Sequence, residues 1–133
     1  MKLQFKPLAM LTAFIFIALA AAWLLNPKFF LDNWGVDFSY ATGLVGRRGA
    51  ALCAGIGVMF FLARNEPASP TRSAMVNGFV VTCLMLATLG AYELQTGHVG
   101  LGILAAVFIE LVLSIGLLCV ECAKKTSHLN GIR

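Results

Sequence analysis

Charge is scarce in this chain. Only 12% of its 133 residues are Asp, Glu, Lys or Arg, and only six residues are acidic. Soluble domains carry roughly 25% charged residues. No polar stretch is long enough to fold as a separate domain. These shortages exclude an ordinary soluble globular protein.

Metal-ligating patterns are also lacking. His98 and His128 have no companion ligands at a useful spacing, so we expect no metal site and no cofactor. No motif commits the chain to one chemistry, and we expect no catalytic residue. The net charge of +4 resides at the ends of apolar segments, where anionic headgroups account for it, so nucleic-acid binding is excluded.

What the chain does have is four long apolar runs, and hydrophobic residues make up 59% of it. Each run is long enough for a helix to cross ~30 Å of hydrocarbon at ~1.5 Å per residue. The sequence therefore predicts an all-α fold and a single integral membrane domain, 1–133, built as a four-transmembrane-helix bundle. The predicted spans are 8–25, 43–63, 73–94 and 99–120.

The distribution of Lys and Arg predicts the orientation. Seven positive residues lie on the side of the termini and three on the other: Lys2, Lys6, Arg64, Arg72, Lys124, Lys125 and Arg133 against Lys28, Arg47 and Arg48. This asymmetry predicts a multi-pass protein of a bacterial inner membrane with both termini cytoplasmic. A cleaved signal peptide is the competing interpretation of the N-terminus, but Trp23-Leu24-Leu25 continue the apolar run past any cleavage site.

The connector after the first span has the pattern of a short helix. Asn26-Pro27 is typical of an N-cap followed by proline at the first helical position, and Gly35 can end the helix. The segment between them is aromatic but contains Lys28 and Asp32, so it cannot cross the membrane. We expect it to lie in the interface; a lid over a lipid-accessible site is the alternative.

Small residues mark faces on which helices approach closely. Gly46, Ala50 and Ala54 follow one another at four-residue steps, and further pairs are Ala51–Gly55, Ala74–Gly78 and Gly102–Ala106. These faces fit contacts within the bundle. They fit a homodimer or a larger membrane complex equally well. The lipid bilayer is the other expected partner.

Glu110 is the clearest candidate functional residue. It lies about 16 Å inside the fourth span at ~1.5 Å per residue, close to the bilayer midplane, where a charged carboxyl costs at least ~2.5 kcal/mol. The residues at four-residue steps around it, Gly102, Ala106 and Ser114, are small or polar. This pattern predicts a stripe of the helix that faces inward. Two interpretations are open. Glu110 is a proton carrier, a general acid or base, or a ligand anchor, or it is a protonated clamp hydrogen-bonded to Thr82 on the third span.

Arg47, Arg48 and Glu93 complete the candidate set. The two arginines lie just inside the second span and can extend to the headgroups. One is expected to face the bundle, with Glu93 as its ion-pair partner. An anion or headgroup site and plain anchoring both remain possible interpretations.

The cysteines favour packing over redox chemistry. Cys119-Val-Glu-Cys122 matches C-x-x-C, but it lies at the end of a helix, where the dipole disfavours thiolate, and on the predicted cytoplasmic side. Cys53 and Cys83 lie within spans as small packing residues.

The order of these features resembles a family of small bacterial four-helix membrane proteins. The shared features are Pro27…Trp34-Gly35, then Arg47-Arg48-Gly49-Ala50 and Arg64, and an acidic residue, Glu110, in the last helix. The family carries no assigned activity, so the resemblance implies the architecture alone. We expect a non-catalytic accessory or interaction protein, or a binder of a lipophilic small molecule. The alternative is a small proton-coupled transporter or membrane enzyme that uses Glu110.

Overall fold

The computed structural model describes the backbone of residues 4–130 and the side chains of residues 4–122. The side chains of Lys2, Lys124, Lys125, His128 and Arg133, which entered the sequence arguments, lie outside that part. The described chain forms five helices: α1 (Phe5–Leu25), α2 (Pro27–Asn33), α3 (Tyr40–Ala63), α4 (Pro70–Gln95) and α5 (Ile103–Asn130). The prediction of an all-α fold with a short helix between the first two spans is confirmed, and α1, α3, α4 and α5 are long and apolar enough to span a membrane.

The four long helices are arranged as two antiparallel pairs. α1 packs along α3 and α4 along α5, whereas α3 and α4 make no extended backbone contact. We call the end of the bundle that holds the start of α1 the Phe5 end, and the opposite end the α2 end. The two pairs meet through aromatic rings near the Phe5 end, where Phe79 of α4 makes edge contacts with Phe16 of α1 and Phe60 of α3.

Glycines allow the close contact between α1 and α3. A Cβ at Gly57 would lie 2.6 Å from the Ile17 side chain and 3.1 Å from the Ala13 carbonyl oxygen. One at Gly46 would lie 2.5 Å from the Trp23 ring. Gly46, Ala50 and Gly57 therefore form one face of α3 on which α1 packs.

Helix α2 begins and ends as the sequence predicts. The Asn26 side chain accepts a hydrogen bond from Phe29 N, Pro27 occupies the first turn, and Gly35 follows the helix at φ +70°. Val36 N donates to Leu31 O at 2.8 Å and Gly35 N to Asp32 O at 3.1 Å, which is the Schellman arrangement. This turn needs a positive φ, which only glycine adopts without strain.

The inner side of α2 lies against the bundle. Its Phe30 and Trp34 rings pack with Trp23 of α1, at 4.8 and 5.3 Å between ring centroids. Gly100 N, just before α5, donates to Trp34 O at 2.6 Å. Helix α2 thus joins the two helix pairs at their α2 end, while Phe29 remains exposed on its outer side.

Several helix boundaries differ from the predicted ones. α1, α3 and α4 each begin three residues earlier than predicted, and α5 ends ten residues later, at Asn130. α4 begins at Pro70 with Ser69 as its cap. Proline is favoured at the first helical position because its fixed φ is helical and its missing N–H would have no partner there. α5 begins at Ile103, four residues later than predicted. Gly97 has φ +77°, and a Cβ at Gly102 would lie 2.1 Å from Asn33 O, so contact with α2 keeps the chain before Ile103 out of the helix.

Candidate functional site

Glu110 lies on the inward stripe that its spacing predicts. Gly102, Ala106 and Glu110 are all half-buried, and Ser114 is 2% exposed. Because α5 starts at Ile103, Glu110 lies only about 10 Å inside the helix at ~1.5 Å per residue. This is less than the expected depth of about 16 Å, but Glu110 remains within three residues of the middle of the apolar segment Ile103–Cys122. Its position near the midplane stays a prediction.

Three polar side chains surround this carboxyl, two from neighbouring helices and one from its own helix. Glu110 lies close enough to Cys53 of α3 and Cys83 of α4 to interact electrostatically with both thiols. The Ser114 hydroxyl, one turn further along α5, lies beside the Cys83 thiol. We call Glu110, Ser114, Cys53 and Cys83 the Glu110 site.

Two buried atoms of the Glu110 site lack a conventional hydrogen-bond partner. Within the described part of the chain, nothing donates to Glu110 Oε2, and Ser114 Oγ has only the weakly hydrogen-bonding Cys83 thiol beside it. Buried polar atoms are satisfied in the great majority of cases, and an orphaned one costs about 1–3 kcal/mol. Such a pair of orphans, one turn apart on one face, is an arrangement that a bound polar group would satisfy.

The expected hydrogen bond from Thr82 to Glu110 is not formed. Thr82 is exposed and donates to Gly78 O of its own helix at 3.0 Å. Its neighbour Cys83 faces inward instead, 1% exposed. Adjacent residues on a helix point about 100° apart, so only one of the two can face α5, and the sequence did not determine which.

Arg47 and Arg48 do not belong to this site. Both arginines are exposed, so the expectation that one of them faces the bundle is wrong. Among the described residues neither forms an ion pair with Glu93, whose carboxylate instead lies 2.8 Å from His98 Nδ1. The candidate residues therefore separate into a buried Glu110, a solvated Glu93–His98 pair at the end of α4, and two outward arginines.

A second polar cluster closes the Phe5 end, and sequence analysis missed it. The buried Arg72 donates from Nε to Glu121 Oε1 at 2.7 Å, and its Nη2 lies 2.7 Å from the same oxygen. The other oxygen of Glu121 accepts from the Ser73 hydroxyl at 3.0 Å. Arg72 also donates to Glu66 O, and its guanidinium lies 4.4 Å from the Phe5 ring centroid.

Two signals could have revealed this Arg72 cluster. Glu121 follows Glu110 by eleven residues, about three helical turns, which places both on one face of α5. Pro70 at the first helical position places Arg72 inside α4 rather than in a connector. In the sequence, the flanking Cys119 and Cys122 suggested chemistry at this point, but both are exposed while Glu121 points inward.

An apolar groove of about 470 Å³ also runs between α4 and α5 toward the α2 end, lined by Leu84, Ala87, Thr88, Ala91, Tyr92, Gln95, Val107 and Leu111. The Thr88 hydroxyl donates to Leu84 O of its own helix, so it offers no donor to a ligand. The groove is open to the side and has no buried polar anchor. It is a surface that lipid chains can cover.

Compared with family models, with curated proteins and with solved structures, the chain matches none of them. The resemblance to a bacterial four-helix family therefore stays a prediction.

Proposed function

We propose that this chain is a non-catalytic multi-pass membrane protein that binds a small lipophilic molecule at the Glu110 site. The ligand carries one hydrogen-bonding group, such as a hydroxyl, on an apolar body. Its polar group bonds Glu110 and Ser114, and its apolar part lies among α3, α4 and α5. By the asymmetry of Lys and Arg, the site belongs to the outer half of a bacterial inner membrane.

The pair of orphaned atoms carries this proposal. Among the residues that the structure describes, Glu110 Oε2 is buried without a partner and Ser114 Oγ meets only the Cys83 thiol. The helix faces around these two atoms are apolar. An apolar setting with a small number of convergent polar groups is typical of small-molecule sites. Buried groups left unpaired in the empty protein gain the most from a ligand that satisfies them.

The apolar core between Glu110 and the Phe5 end favours binding over proton-coupled transport. Toward the Phe5 end the bundle interior is an apolar core that includes Phe60, Val76, Leu113 and Leu117, all 2% exposed or less. A proton carrier needs hydrogen-bonding groups leading away in both directions. The core separates Glu110 from the next inward carboxyl, Glu121, by about 16 Å at ~1.5 Å per residue.

Photolabelling tests the proposal. The purified protein in phosphatidylcholine nanodiscs is mixed with a long-chain alcohol that carries a benzophenone at its far end, then illuminated, digested and mapped by mass spectrometry. We expect saturable labelling of inward residues of α4 and α5 near Glu110. The double variant Glu110→Leu/Ser114→Ala should weaken binding about tenfold, since about 1.4 kcal/mol of hydrogen bonding is lost.

The matched control is Glu93→Leu/Thr82→Ala, which makes the same kinds of change on α4 at the half-exposed Glu93 and the exposed Thr82, away from the Glu110 site. Its labelling should equal that of the wild type. Equal labelling of the wild type and the Glu110/Ser114 double variant would contradict the proposal.

A further inference from the structure

The large buried apolar side chains of the long helices cluster toward the Phe5 end and the middle of the bundle, and they include Phe60, Leu113 and Leu117. Toward the α2 end the buried residues of the long helices are small, among them Ala50 and Ala87. The Glu110 site lies where the large side chains end. Beyond it, toward the α2 end, the helix pairs are joined through α2 and the chain just before α5.

Gly49 lies on the wall of this less filled half. It precedes Cys53 by four residues and Phe60 by eleven, so it shares the face of α3 that contacts Phe79 of α4. A Cβ at Gly49 would meet no atom within 4 Å. Phe60, on the same face, is fully buried. The α3 face toward α4 is therefore closed near the Phe5 end and open one turn beyond Cys53.

Leu86 lies on the opposite wall. It follows Phe79 by seven residues, hence on the same face of α4, and it is 45% exposed. Helices α3 and α4 make no extended backbone contact, and Gly49 on α3 and Leu86 on α4 are both exposed. Cys53, one turn from Gly49, lies beside Glu110.

We infer that a gap separates α3 from α4 at Gly49, and that this gap is the lateral entrance through which a lipophilic ligand reaches the Glu110 site from the membrane. This inference rests on the proposed function. It adds a route and a residue that determines access: the absent side chain of Gly49 leaves the passage open, and the ligand enters as a partitioned amphiphile rather than from water.

Filling the gap tests the inference. Gly49→Phe places a ring in open space, so the variant should fold with an unchanged melting temperature. Labelling of α5 by the benzophenone alcohol should then be at least about fivefold slower than in the wild type. Gly55→Phe is the matched control, because Gly55 is equally open but lies about 120° away from the gap at ~100° per residue. Leu86→Trp narrows the gap from the α4 side and should slow labelling as well.

The possible outcomes separate the two proposals. Slower labelling in Gly49→Phe and Leu86→Trp, with Gly55→Phe unchanged, supports the entrance. If the wild type is labelled near Glu110 but neither gap-filling variant slows the reaction, the entrance is wrong and the binding site stands. If the wild type is not labelled near Glu110 at all, the binding site fails and the entrance fails with it.

Discussion

Glu110 and Glu121 lie on the same face of α5 about three turns apart, and their surroundings are opposite. Glu121 has Arg72 and Ser73 as partners, whereas Glu110 has a buried oxygen without any. The paired carboxylate of Glu121 connects α5 to α4. An orphaned carboxyl inside a span lowers stability and makes sense as part of a binding site.

The first residue-scale prediction concerns Glu110. Replacing it by Leu removes an unsatisfied buried group, so the free energy of unfolding in SDS titrations should rise by about 1 kcal/mol. If Glu110 were a clamp between helices, the same change would lower stability by about 0.6 kcal/mol, the average for interhelical hydrogen bonds in membranes. The sign of the change decides between the two interpretations, and Glu110→Gln should stay within a few tenths of a kcal/mol of the wild type, of the order of an uncharged exchange.

The second residue-scale prediction concerns the buried pair. Arg72→Gln should lower the free energy of unfolding by about 3–5 kcal/mol, because it leaves the Glu121 carboxylate without its cation. The double variant Arg72→Gln/Glu121→Gln should recover part of this loss. Arg64→Gln is the control: Arg64 stacks on Phe61 of its own helix at 4.0 Å, a local contact expected to contribute less than about 1 kcal/mol. Equal effects of the two single arginine variants would contradict the structural role of the pair.

At the scale of elements, packing in this bundle depends on which glycines face a neighbour. Gly57 and Gly55 are two residues apart in α3, yet Gly57 touches α1 and Gly55 touches nothing. Gly57→Ala should destabilise the protein by about 1–3 kcal/mol because its methyl group meets the Ala13 carbonyl. Gly55→Ala should stabilise it by about 0.5–1 kcal/mol through helix propensity. Thermal unfolding in detergent measures both, and destabilisation of similar size in each would contradict the assigned α1–α3 face.

The contrast between Gly55 and Gly57 shows which features of the fold the sequence can predict. Hydropathy determines the four spans, and local chemistry determines the ends of α2, because both depend on residues close in the chain. The small-residue pattern identified Gly46–Ala50 and Gly102–Ala106 as inward faces. It gave the same weight to Ala51–Gly55 and Ala74–Gly78, which are exposed. Spacing shows that residues share a face; only the packing of other helices shows what that face meets.

The candidate site was partly predictable for the same reason. Glu110 and Ser114 share a stripe of one helix, so spacing alone places them on one face, and the cost of a carboxyl in lipid favours an inward one. Their partners come from other helices, and the register between helices depends on where each one begins. Because α5 starts late, at Ile103, Glu110 lies closer to the start of its helix than predicted. Because α4 starts early, at Pro70, Arg72 lies inside the helix, where it pairs with Glu121.

At the scale of the whole molecule, the open prediction is orientation. The seven-to-three excess of Lys and Arg predicts both termini in the cytoplasm, which would place α2 and the Glu110 site in the outer half of the membrane. On a background with all four cysteines replaced, single cysteines at the exposed positions Asp37 and Thr96 should react in intact cells with a membrane-impermeant maleimide. A cysteine at Ala68, exposed in the connector between α3 and α4, should react only after the membrane is permeabilised. Reaction at position 68 in intact cells would show that the orientation is the opposite of the predicted one. The ligand's entrance at Gly49 would then open from the inner leaflet, and the lipid composition used in the labelling experiments would have to match that leaflet.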